Sequence, residues 1–347
     1  MTGNQRLIEW PIPAHFDSYK VAEVWKVPYQ QRAQEAQEWA ARHEILPATT
    51  DSFKISLLCI DVQNTFCHPD FELYVGGRSG TGAVDDNRRL AQFIYRNLGR
   101  ISEISATLDT HQAVQIFHAI YLVNERGEHP QPHTTISLAD IQKGRWKFNP
   151  LLADNLGISA DYGQQELLHY VNALKTKQKY ELTIWPYHAM LGGIGHALVS
   201  SIEEALFFHT IARKTQTDFI LKGDNPLTES YSAIGPEVTE GPGGEQIGRK
   251  SGEIFEKLLH SDALIIAGEA KSHCVAWTVE DLLADIRSQD AGLAKKVYLL
   301  EDCSSPVVVP GALDFSAQAD AAYERFAQAG MHLVRSSDPI QNWLEQN

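Results

Sequence analysis

No apolar run in this 347-residue chain approaches the roughly 18 residues that a membrane-crossing helix needs. Its opening, MTGNQRLIEWPIPAHF, lacks the basic start and apolar core of a secretory leader. Positive charge is scarce: 30 Lys and Arg stand against 44 Asp and Glu, a formal net charge of −14. Phosphate backbones are held by clustered cations, so a nucleic-acid partner is disfavoured. Only four cysteines occur, Cys59, Cys67, Cys274 and Cys303, with no C-x-x-C pair and no disulfide framework, which fits a reducing compartment. Three glycine-rich stretches, GGRSGTG, GGIGHA and GPGGEQIG, have neither the tight strand–turn–helix setting of a dinucleotide fingerprint nor the lysine of a phosphate loop. They read as turns, with GGIGHA a candidate for a pocket lining. No fixed-period repeat or low-complexity tract stands out. These absences lead to the expectation of a cytoplasmic enzyme with no membrane partner.

What is present is alternation. The hydrophobic fraction of 43% and the charged fraction of 21% are those of an ordinary globular protein. Residues 1–50 read as an N-terminal extension packing on the core, with YQQRAQEAQEWAARHEIL helical in spacing. Residues 51–347 read as one domain, beginning with the apolar run FKISLLCID, the helix GAVDDNRRLAQFIYRNL and the strand ISEISATLD. An irregular insertion follows at about 120–180. Pattern then resumes: YELTIWP as strand, ALVSSIEEALFFHTIARK as helix, TDFILKG as strand, SGEIFEKLLH as helix and ALIIAGE as strand. VAWTVEDLLADIRS, KKVYLLEDC, DFSAQADAAYERFAQAG and HLVRS complete the series. Such alternation predicts a mostly parallel sheet covered on both faces, a three-layer α/β/α sandwich.

Chemistry-bearing residues gather at strand ends, where open α/β sheets place their sites. Asp61 closes the first run, Asp109 and His111 the second, and Lys222 the strand FILKG. Cys274 lies just past the apolar run that ends in IIAGE. A cysteine at a helix start is favoured as a thiolate by free N–H groups and the helix dipole, and Lys222 can add a cation. Asp61 can take the thiol proton and return it to a leaving amine. Nucleophile, cation and acid–base group together suffice for acyl transfer through a thioester. The plainer alternative is that Cys274 is a small packed hydrophobe and the others are loop groups. Asp109 and His111, two apart, can converge on a divalent metal, with His188 in WPYHAM as third ligand and His118 and His196 competing for that place. An Asp–His pair that merely organises a loop is the alternative there.

In order along the chain, IDVQNTF, TLDTH, WPYH, LKG followed by SYSAI, and GEAKSHCV resemble the motifs of the isochorismatase-like cysteine hydrolases, above all the nicotinamidase-related branch. The resemblance covers about residues 53–335 and implies the Rossmann-like fold of that family. It assigns Asp61 as acid–base carboxylate, Lys222 as triad lysine and Cys274 as nucleophile. It also implies an oxyanion hole from the backbone N–H groups of Ala270 and Cys274, with a cis peptide between Glu269 and Ala270. Asp109, His111 and His188 correspond to ligands of one divalent metal ion, zinc first, with iron, manganese and magnesium as alternatives; no organic cofactor is implied. Phe66, Trp185 and Tyr231 resemble pocket positions able to sandwich a flat substrate, and Gln63 and Asn64 brace the loop after Asp61.

Departures from the pattern bear on substrate. Ala189 replaces the family's usual cysteine, and Lys271 and His273 change the polarity beside the nucleophile. The N-terminal extension and the insertion exceed the compact family domain and offer material for a pocket cover or an oligomer contact; a homo-oligomer is expected. The expected reaction is hydrolysis of a small-molecule carboxamide or related C–N bond. The alternative within the family is an N-carbamoyl compound, ureide or cyclic amide, with Lys271, Arg78 or Arg145 binding its carboxylate. The alternative of another class is a non-catalytic small-molecule-binding or scaffold protein.

Overall fold

The computed structural model describes residues 9–344, so the first eight residues of the N-terminal extension lie outside the described residues. Six strands form one sheet: β1 (Ile55–Ile60), β2 (Ile101–Asp109), β3 (Asp218–Lys222), β4 (Ala263–Gly268), β5 (Val297–Leu300) and β6 (His332–Val334). Their spatial order is β6-β5-β4-β1-β2-β3, and every neighbouring pair is parallel. The central strands β1 and β4 are buried at every residue, as their unbroken apolar runs require of a parallel sheet covered on both sides.

Side-chain alternation along β1 sorts the core into two halves. Leu57 and Cys59 join a cluster with Leu90 and Ile94 of helix α1 (Gly82–Arg96) and Ile202 and Leu206 of α2 (Ser200–Arg213). Leu58 and Ile60 join the opposite cluster with Phe255 of α3 (Gly252–Leu259), Val279 and Leu282 of α4 (Cys274–Gln289) and Phe326 of α5 (Ser316–Gln328). The result is a three-layer α/β/α sandwich. The chain runs outward from β1 through β2 to β3, then returns to β1's other side with β4. This makes the C-terminal ends of β1 and β4 the switch point where such sheets open a crevice.

Gly268 makes that junction possible. Its φ is +122°, and a Cβ there would stand 2.0 Å from the carbonyl oxygen of Ile60. Only glycine lets β4 finish flush against β1.

The extension contributes the helix Tyr29–Arg42, which lies against α2 with Arg32 Nε 2.8 Å from Glu204 Oε1 and Trp39 in the larger core cluster. In the insertion, Tyr121, Phe148, Leu167 and Tyr170 are buried in that same cluster. One predicted strand departs from expectation. Of YELTIWP only Leu182–Thr183 is extended in register, paired antiparallel with Thr135–Ile136 away from the main sheet. Ile184 and Trp185 donate their N–H groups to Thr134 and Phe117, and Pro186 has none to continue a ladder. The segment therefore belongs to the insertion and carries His188 in a loop. Among the described residues no helix is long and apolar enough to cross a membrane.

Candidate active site

The ends of β1, β2 and β3 lie side by side, so Asp61, Asp109 and Lys222 meet. Lys222 Nζ is 2.9 Å from Asp61 Oδ2, 2.9 Å from Asp109 Oδ1 and 3.0 Å from the Ser230 carbonyl oxygen. The Asp109 and Ser230 oxygens accept hydrogen bonds from this ammonium, and Asp61 Oδ2 faces it as an ion pair. The Cys274 Sγ stands 3.6 Å from the same nitrogen, at the head of the sixteen-residue helix α4. Asp61 has a φ of +46°, a left-handed conformation unusual for a residue with a Cβ. Thr107, on β2, holds it there: its Oγ1 accepts the Asp61 N–H at 2.9 Å and its hydroxyl donates to Asp61 Oδ1 at 2.5 Å.

Burial sets the ionisation of this cluster. It raises the Asp61 carboxyl, Lys222 pulls it back down, and Asp109 pushes it up again. Burial also pushes the Cys274 thiol well above its usual range; the Lys222 charge opposes this, and the carboxylates of Asp61 and Asp109 reinforce it. The expected resting thiolate is therefore replaced by a neutral thiol that needs a base at the moment of attack. Lys222 behaves oppositely. Burial disfavours its charge, but Asp109 and Asp61 outweigh that and hold it firmly protonated.

Asp109, His111 and His188 converge. One ligand atom from each lies within 4.8 Å of the others. His111 Nδ1 faces the Gly223 carbonyl at 2.9 Å and His188 Nδ1 faces the Pro186 carbonyl at 2.8 Å. Carbonyl oxygens only accept, so both Nδ1 atoms carry a proton, and both Nε2 atoms turn toward Asp109. Those Nε2 atoms lie 2.8 and 3.8 Å from Asp109 Oδ2. One carboxylate and two imidazoles with outward-tied Nδ1 atoms fit a divalent transition metal. Gly223, with φ +87°, leaves the room: a Cβ there would sit 2.6 Å from His111 Cε1 and 2.7 Å from Asp109 Oδ1. Neither competitor joins the converging set: His196 Nε2 pairs with Thr110 Oγ1 at 2.8 Å, and His118, with Nδ1 3.2 Å from the Ala113 carbonyl, keeps its Nε2 unpartnered.

Both sets border one cavity. Phe66, Trp185 and Tyr231 are on its wall, with Ala270, Cys274 and the three metal-site residues. Asp61 and Lys222 are not on the wall and reach the cavity through Cys274 and Asp109. Trp185 Nε1 donates to the Tyr231 hydroxyl at 3.0 Å. The Glu269–Ala270 peptide is cis, and the Ala270 N–H has no acceptor among the described residues. Gln63 braces the loop as expected, bonding Asp109 through both its backbone N–H and its carbonyl oxygen; Asn64 donates to the Ile194 carbonyl.

Three proposed carboxylate anchors are elsewhere. Arg78 and Lys271 both pair with Asp320, and Arg145 pairs with Asp140; none lines the cavity. Two residues escaped sequence reasoning. Thr107 lies two positions before Asp109 on the same strand face, a period-two signal that was readable. Glu229, just before SYSAI, is a wall residue hydrogen-bonded to Tyr231, and its backbone N–H meets the Tyr170 hydroxyl of the insertion at 3.3 Å. Burial raises its carboxyl well above the usual range. Nothing local to the sequence marks it as facing the cavity.

No family profile and no curated protein matches this chain. Solved structures do resemble it. A nicotinamidase/pyrazinamidase of Acinetobacter baumanii shares 20% identity over 83% of this chain and 99% of its own, with a TM-score of 0.49. The pyrazinamidase of Pyrococcus horikoshii, solved in complex with zinc, shares 16% over 81% and 99%, with a TM-score of 0.43. An isochorismatase-like hydrolase of Alkaliphilus metalliredigens shares 12% over 84% and 99%, with a TM-score of 0.41.

Proposed function

We propose that this protein is a cysteine-dependent hydrolase of a small-molecule carboxamide or related C–N bond, a member of the isochorismatase-like family in its nicotinamidase-related branch. The observation that carries the reading is the single ammonium of Lys222 within 2.9 Å of two carboxylates and 3.6 Å of a thiol that opens on a cavity.

Because the resting thiol is neutral, the Asp61 carboxylate takes its proton as sulfur attacks the amide carbon. A C–S bond forms and the carbonyl oxygen gains the negative charge. The N–H groups of Ala270 and Cys274 receive that oxyanion, the largest electrostatic contribution in this class of reaction. The C–N bond then breaks as Asp61 hands its proton to the leaving nitrogen. Water next gives a proton to Asp61 and attacks the thioester; the C–S bond breaks and sulfur is reprotonated. Lys222 keeps its charge throughout and offsets whichever of Asp61 and Cys274 is anionic. Asp109, His111 and His188 would hold one divalent ion, zinc first, which when bound supplies an electrophile able to fix a donor atom of the substrate. Phe66, Trp185 and Tyr231 flank a flat acyl group.

The test is an ammonia-release screen over nicotinamide, simple amides, ureides and carbamoyl amino acids, with and without chelator. At least one carboxamide should be hydrolysed, and Cys274→Ala should abolish turnover without lowering the melting temperature. Full turnover in that variant would overturn the reading.

A further inference from the structure

Two carboxyls outside the reaction cluster face one another in the interior: Glu269, the residue after β4, and Asp86 on α1, 0% and 3% exposed. Each keeps one engaged oxygen. Arg89 Nη2 donates to Asp86 Oδ1 at 2.7 Å, and the Ser305 N–H donates to Glu269 Oε2 at 3.1 Å. The other two oxygens, Asp86 Oδ2 and Glu269 Oε1, are enclosed with no donor. Native interiors rarely leave such atoms unpaired, and two ionised carboxylates only accept; one proton between them satisfies both. Arg89 keeps the negative charge on Asp86, so the proton is on Glu269, whose carboxyl burial and Asp86 together raise well above its usual range. Cys67, Tyr74, Cys303 and Tyr323 also face the pair, and burial raises each of them, so they are neutral.

The Ser305 contact closes a ring around Ala270. While its N–H is held by the Glu269 side chain, the Ser305 carbonyl accepts the Lys271 N–H at 2.8 Å. The Glu269 N–H donates to the Ile60 carbonyl, also at 2.8 Å. Both neighbours of Ala270 are thus tied down, and Ala270 itself stands on the cavity wall.

We propose that Glu269 is a positioning residue for the oxyanion hole: as a neutral acid hydrogen-bonded to Asp86, it holds Ser305, and through that ring it aims the Ala270 N–H. It touches no reacting atom. A donor that stabilises a developing charge is effective only when fixed before the reaction, and a displacement of about 1 Å costs much of its effect. The inference rests on the hydrolase reading of the cavity.

Two thiol reagents separate positioning from folding. Acylation by p-nitrophenyl acetate passes through an oxyanion: sulfur bonds to the acetyl carbon, and p-nitrophenolate leaves with the C–O electron pair. Alkylation by iodoacetamide is a direct displacement at carbon and forms no oxyanion. Both rates are read at Cys274, with Cys274→Ala protein giving the contribution of the other thiols. Glu269→Met should slow acylation at least about tenfold, the scale of a weakened oxyanion donor, and leave alkylation within about twofold. A residue that merely supports the fold would move both rates together. Glu269→Gln, whose amide donates to Asp86 and accepts from Ser305 as the neutral acid does, should bring acylation back to within about twofold of wild type. If Glu269→Met does not fold, Glu269→Asp, one methylene short of Ser305, must show the same selective loss. Unchanged acylation in these variants, equal slowing of both reactions, or no acylation of Cys274 in the wild type overturns the proposal. So does a Glu269→Gln protein that fails to fold or acylates as slowly as Glu269→Met. Ammonia release from carboxamides judges the hydrolase reading on its own. Glu269-dependent acylation without ammonia release sinks that reading alone, and ammonia release with Glu269-independent acylation sinks this inference alone.

Discussion

Asp109 faces Lys222 with one carboxylate oxygen and His111 with the other, at 2.9 Å and 2.8 Å. A single side chain therefore links the cation beside the nucleophile to the ligands of the candidate metal centre. Burial by itself would raise the Asp109 carboxyl; the charges of His111 and Lys222 overcome this and hold it far below the usual range.

Substituting Asp109 with Ala should consequently damage both halves of the site. Lys222 keeps Asp61 as its one remaining counter-ion, and breaking a buried pair of this kind costs about 3–5 kcal/mol. A urea titration should show that loss, and ammonia release should fall by at least about a hundredfold. Wild-type stability in the variant would mean that the Lys222–Asp109 contact contributes little.

Gly223 leaves the room that the candidate metal ligands occupy. A Cβ at this position meets His111 and Asp109 side-chain atoms below 3 Å, at a backbone φ of +87°. Gly223→Ala should lower zinc affinity by about tenfold or more, the scale seen when ligand orientation is disturbed. Equilibrium dialysis measures it. Undiminished zinc uptake would argue against the ligand set.

Burial raises all four thiols, Cys59 to about 12 and the other three well above their usual range. Only Cys274 among them lines the cavity. Iodoacetamide should therefore alkylate Cys274 before the others, yet slowly at neutral pH. Because the shift is upward, the rate should climb with pH and show no plateau below about pH 9. A plateau near neutrality would instead reveal a resting thiolate.

Glu166, in the helix Ala160–Thr176, is fully buried, and neither carboxyl oxygen has a hydrogen-bond partner. Burial raises its pKa to about 7, with a smaller push from Glu245. The folded protein thus binds this proton more tightly than the unfolded chain. Stability from this group is present below about pH 4.5 and is lost as pH rises through about 7. Glu166→Gln should melt a few degrees higher than wild type at pH 8 and nearly level with it at pH 4.5. A variant less stable at both pH values would contradict the assignment.

The central strands were legible because FKISLLCID and ALIIAGE are apolar runs of strand length, each bounded by polar residues. Helices such as Gly82–Arg96 and Ser316–Gln328 were legible through their spacing. YELTIWP misled because a short apolar run does not reveal which partner it pairs with, and its partner is the insertion rather than the sheet. The motif residues at strand ends could be picked out, but Glu229 could not, since an isolated carboxylate in a loop carries no periodic signal of the wall it joins.

Local pattern alone thus determined the elements of this protein and the polar residues that end them, because propensity and periodicity act over a few neighbours in the chain. Only the tertiary structure decided that β3 lies beside β2, and so that Lys222 reaches both Asp61 and Asp109. It also decided that Cys274 rests as a thiol, since ionisation answers to burial and to charges brought from 52 to 213 residues away in the sequence. Strand order and dielectric environment are properties of non-local contact, and no short window of residues contains them.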